Sequence, residues 1–76
     1  MFMDQQYSER MGRHLAKLRQ DKGLTQEQLA ARLQGQGWGL TRSALAKIEV
    51  GQRHLYPDEI KALSVVLGIS YEQIFV

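Results

Sequence analysis

Apolar residues recur along this chain at helical spacing, and no segment alternates strictly between apolar and polar as a half-buried strand does. Met11, Leu15 and Leu18 fall at i, i+4 and i+7, one face of a helix. Ser8 ahead of them is a good N-cap residue, and Gly23 behind them suits the left-handed position that ends a helix, so a first helix is expected from about Ser8 to Lys22. Thr25-Gln26-Glu27-Gln28 reads as a capping box opening a second helix, with Leu29, Ala30 and Leu33 as its buried face. Gly35, Gly37 and Gly39 then interrupt the pattern. Thr41 can cap a third helix that runs to about Val50 and stops at Gly51. Pro57 suits the first position of a fourth helix, with Asp58 and Glu59 at its positive end. Ile60, Leu63, Val66 and Leu67 form its stripe, and Gly68 stops it. Ser70, with Gln73 as capping partner, opens a last turn through Ile74 and Phe75. The expected architecture is all-α, a compact five-helix bundle over residues 8–76 behind a tail at 1–7.

Length and composition narrow the chemistry. Seventy-six residues allow one compact unit, and 43% hydrophobic residues suffice for a small core. The absence of cysteine excludes disulfides, thiolate catalysis and Cys-based zinc sites. His14 and His54 are too far apart in sequence to suggest a metal cluster, so no metal and no cofactor are expected. No apolar run approaches the roughly 20 residues of a membrane span. Met1 to Arg10 lacks the basic and apolar regions of a secretory signal, so a soluble, cytoplasmic protein is expected. An enzyme is not expected either. No nucleophile has a base nearby, no carboxylates cluster, and the glycine-rich stretch lies between helices rather than after a strand.

Charge changes the picture more. The net charge is only +2, yet residues 10–53 carry nine basic and three acidic residues, a local excess of +6, whereas 1–9 and 54–76 are each at −2. A basic block on a small folded chain is the footprint of a polyanion binder, although a solvated basic face reads the same way. The third helix sharpens the choice. At roughly 100° per residue, Leu45 and Ile48 share its core side, while Ser43, Ala46, Lys47 and Val50 lie opposite with Arg42 at the flank. That outer face has two cations, a hydroxyl and no acid. A helix of this width fits the major groove of B-DNA, where Arg or Lys donates to guanine and Ser bonds either way. Glu49 belongs to the edge of the core side, where an unpaired carboxylate is costly, and Arg19 borders the stripe of the first helix. The two are expected to form an ion pair joining these helices.

The run Leu18-Arg19…Gly23-Leu24-Thr25-Gln26…Leu29-Ala30…Leu33, followed by Thr41-Arg42-Ser43…Ile48-Glu49…Gly51 and Leu67-Gly68-Ile69-Ser70…Phe75, resembles the Cro/phage-repressor (Xre-type) helix-turn-helix family over about residues 8–75. The resemblance implies a five-helix DNA-binding domain whose second and third helices form the helix-turn-helix. It implies phosphate contacts from Gln26 and Thr41, base reading by Arg42, Ser43 and Lys47, and a backbone grip from Arg53. It also implies the Arg19–Glu49 pair as a recurrent family feature. Gln26 can equally be only a first-turn residue and Thr41 only a cap. One departure stands out: the family joins its central helices by a tight turn, whereas Gln34 to Leu40 spans seven residues around Trp38. Trp38 either covers the core end, the favoured reading, or stacks on the duplex. His54 either touches phosphate or simply occupies a loop.

The expected function is a sequence-specific, double-stranded DNA-binding transcriptional regulator, a repressor by its family, acting as a homodimer without a small-molecule ligand. Ile74, Phe75 and Val76, with part of Leu55-Tyr56 or Val65-Val66, are the expected dimer surface, although Ile74 can instead close the core. The alternative is an antitoxin-like protein-interaction module of the same fold.

Overall fold

The computed structural model describes residues 4–76. Four α-helices, α1 (Gln5–Asp21), α2 (Gln26–Gly35), α3 (Arg42–Glu49) and α4 (Pro57–Leu67), precede a short closing 3-10 helix, Tyr71–Ile74. The expected fifth helix is therefore a single tight turn, built on Ser70, whose Oγ accepts from the Gln73 amide while the Gln73 side chain accepts from the Ser70 amide. No helix among the described residues is long and apolar enough to cross a membrane.

Each helix begins and ends for a local reason. Thr25 and Gln28 form the reciprocal capping box of α2, and Thr41 Oγ1 accepts from the Ala44 amide to open α3. All four helices end with a glycine at positive φ (Gly23, Gly37, Gly51 and Gly68). In each case the glycine amide and the next amide fold back to carbonyls of the last turn, as Gly51 does to Ile48 and Gln52 to Lys47.

Two boundaries differ from the sequence expectation. Helix α1 starts at Gln5, not at Ser8, because Asp4 Oδ1 caps the Tyr7 amide at 2.8 Å and Gln5 Nε2 donates to the Gly51 carbonyl at 3.1 Å. Ser8 is instead buried on the inner face with Met11, Gly12 and Leu15. Of the expected tail, residues 4–7 are thus part of the domain, and 1–3 lie outside the described residues. Helix α2 continues through Gln34 and Gly35, so only residues 36–40 separate it from the Thr41 cap.

The core gathers Leu15, Leu29, Leu33, Leu45, Leu63 and Ile74, all fully buried. Trp38 packs half-buried against its edge beside Leu40. The packing reading of that residue holds. Ile74 is completely enclosed, and the ring of His14 on α1 donates to the Gln73 carbonyl at 2.6 Å, so the final turn is tied down on both sides. Ile74 therefore closes the core and drops out of the expected dimer surface.

Candidate nucleic-acid interface

The site is built on α3, and α3 is held from two sides. Along α1, Gly12 faces the C-terminal end of α3 so closely that a methyl group there would collide with the Ile48 and Glu49 carbonyls. From the same helix Arg19 reaches Glu49 edge-on, with Nε 2.7 Å from Oε2 and Nη2 2.9 Å from Oε1, and its Nη1 donates to the Leu24 carbonyl at 2.8 Å. Both residues are buried. The hydrogen bond to Glu49 raises the Arg19 pKa above its ordinary value against the opposing effect of burial. The ion pair expected from helix geometry is present, and it turns the acid of α3 inward.

The opposite side of α3 faces water. Arg42, Ser43, Lys47 and Val50 are exposed, with Ala46 half-buried among them. Among the described residues no hydrogen bond or salt bridge engages the side chains of Arg42, Ser43 or Lys47. The face predicted to be cationic and acid-free is so in three dimensions, and its donors are available.

The other expected contacts are placed less simply. Thr41 is exposed, but its hydroxyl already accepts the Ala44 amide as the helix cap. Gln26 donates through Nε2 to Glu49 Oε1 at 2.9 Å, which joins the start of α2 to the buried pair. One amide hydrogen and the amide oxygen of Gln26 are left over. Arg53 forms a bidentate pair with Glu59, at 2.9 and 2.8 Å, and lies over the Tyr56 ring. Glu59 was expected only at the positive end of the helix dipole, and its pair with Arg53 was not foreseen. The available signal was its place at the third position of α4, where a carboxylate folds back on the loop that carries Arg53. His54 is exposed and borders an apolar groove with Leu55, Tyr56, Ile60, Tyr71 and Phe75.

The helix-turn-helix family matches residues 15–74. The restriction-modification controller protein C.AhdI from Aeromonas hydrophila is 36% identical, with 88% of this chain and 90% of that one covered and a TM-score of 0.78. The DNA-binding domain of BldD superposes with a TM-score of 0.84 over 97% of this chain and 100% of that one; at 20% identity this is a likeness of fold. No curated protein matches the chain.

Proposed function

This chain belongs to the Cro/phage-repressor helix-turn-helix family of transcriptional regulators, and from that premise we propose that it represses transcription in the cytoplasm by laying α3 in the major groove of double-stranded DNA. The observation that carries this reading is the outward, acid-free face of Arg42, Ser43 and Lys47, with Glu49 folded away onto Arg19. Arg42 and Lys47 donate to guanine edges, and Ser43 reads a neighbouring base edge. The Thr41 end of α3 and the Gln26 end of α2 approach phosphates with their unpaired backbone N–H groups, which favour anions. In this arrangement Gln26 serves twice, bonding Glu49 with one amide hydrogen and phosphate with the other.

A single eight-residue helix reads few bases, so tight binding calls for two copies on a two-fold site, with half-sites one helical turn, about 34 Å, apart. The groove lined by Leu55, Tyr56, Ile60, Tyr71 and Phe75 is the surface proposed for the second copy. Tyr56 is 60% and Val76 53% exposed, and Tyr71 packs on Phe75 with ring centroids 5.5 Å apart. Large apolar side chains left in water in this way mark an association surface. The identity to C.AhdI extends the proposal: the genes controlled are those of a restriction-modification system.

Selection of bound sites from random duplexes tests both parts. The expected product is a pseudo-palindrome with that half-site spacing, matching sequence upstream of a neighbouring methyltransferase or endonuclease gene. Recovery of unrelated sequences without a shared motif contradicts the reading.

A further inference from the structure

Among the described residues, Arg53 is the one half-buried cation whose guanidinium is paired with a carboxylate. Its Nη1 donates to Glu59 Oε1 at 2.9 Å and to the His54 carbonyl at 3.0 Å, and its Nη2 donates to Glu59 Oε2 at 2.8 Å. A guanidinium has five N–H donors in a rigid planar fork. Three are used here. The two that remain, the Nε–H and the second Nη2–H, lie side by side on one edge, a parallel pair that matches two oxygens of a phosphate. Arg19 spends that same edge on Glu49 inside the protein, whereas Arg53 keeps 30% of its side chain exposed.

The acceptor is fixed as well. Glu59 Oε1 also receives the Tyr56 amide at 3.0 Å, which anchors the carboxylate to the first turn of α4. Burial works against its charge, but the hydrogen bonds from Arg53 and the Tyr56 amide outweigh it and hold its pKa below the ordinary carboxylate value. The Tyr56 ring lies against the guanidinium, its centroid 5.5 Å from the guanidinium carbon. An unrestrained arginine gives up rotamer freedom when it docks, and this one gives it up on folding.

We propose that Glu59 and Tyr56 are positioning residues for DNA binding, which hold the free Nε/Nη2 edge of Arg53 toward one phosphate of the duplex just beyond the end of α3. This rests on the duplex-binding reading above, and it reverses the sign expected of an acid near a DNA-binding surface. Removing a carboxylate ordinarily strengthens binding to a polyanion. Here it releases the clamp.

The test is an anisotropy titration of the full chain on its selected duplex across a salt series. Glu59→Gln is expected to weaken binding roughly three- to tenfold and to lower the log–log salt slope by about 0.9 for each bound copy, the loss of one phosphate contact in each. Arg53→Lys keeps the charge but not the fork and is expected to weaken binding by a similar factor. In an Arg53→Ala background, Glu59→Gln is expected to cause no further loss. Unchanged or tighter binding by Glu59→Gln overturns the proposal, and so does an additive loss in the double variant. If circular dichroism finds Glu59→Gln unfolded, Arg53→Lys decides alone, and wild-type affinity and slope for it overturn the proposal. A wild-type chain that bound no duplex would overturn the functional reading and this proposal together, whereas binding that is indifferent to Glu59 overturns the positioning role only.

Discussion

Arg19 and Glu49 show how much one pair of side chains can settle. Each lies at the edge of an apolar stripe, and neither can stay charged in that position without the other. Together they use three of the five guanidinium donors, including one on the Leu24 carbonyl, and the Gln26 amide joins them. Neutralising one partner leaves a buried charge unpaired. Arg19→Ala is therefore expected to destabilise the fold by about 3–5 kcal/mol, each kcal/mol lowering Tm by roughly 4–8 °C in a domain of this size. Thermal unfolding followed by circular dichroism checks this, and a shift typical of a surface substitution contradicts it. This pair was legible in the sequence because helical spacing puts each residue at the edge of an apolar stripe, where a charge needs a partner. The Arg53–Glu59 pair was not, since it depends on how a loop folds back on the helix after it. The Gln26–Glu49 bond was hidden for a related reason: it needs the angle between α2 and α3, which no local pattern encodes.

At the scale of elements, the caps were the most readable feature. Thr25, Thr41, Pro57 and Ser70 open the elements expected of them, and Gly23, Gly51 and Gly68 close the helices before them. Capping is chemistry within a few residues, so sequence carries it. The first turn of α1 is the exception: Asp4, not Ser8, is its cap through the Tyr7 amide, and the turn is also held by a distant acceptor, the Gly51 carbonyl. The same helix explains how α3 is held at a fixed distance. Gly12 lets the two backbones meet, and Glu9 presses on Gly51 one turn earlier. In an exposed helix, Gly→Ala stabilises by roughly 0.5–1 kcal/mol. At this crossing the sign is expected to invert: Gly12→Ala should lower stability by about 1–3 kcal/mol through overpacking, as read from the urea midpoint. An unchanged or higher midpoint would mean that α1 does not set the position of α3.

Across the described residues, the outward cations of α3 and the apolar groove are carried by different elements. The basic block supplies the outward face of α3, while two of its cations, Arg19 and Arg53, are paired with carboxylates of the fold. The apolar groove belongs to the acidic C-terminal third, whose last turn gives Ile74 to the core and leaves Phe75 half-exposed. Composition could not divide those adjacent residues; only the 3-10 turn does. Phe75→Asp is expected to convert a homodimer to a monomer in sedimentation, and an unchanged oligomeric state removes the proposed interface. Operator recognition requires that α3 read bases rather than merely attract phosphate, and the most direct measurement compares Arg42→Ala with wild type on operator and on random duplex at one salt concentration. A loss of about 1–3 kcal/mol on the operator with little change on random DNA is predicted. Equal losses on both would contradict it.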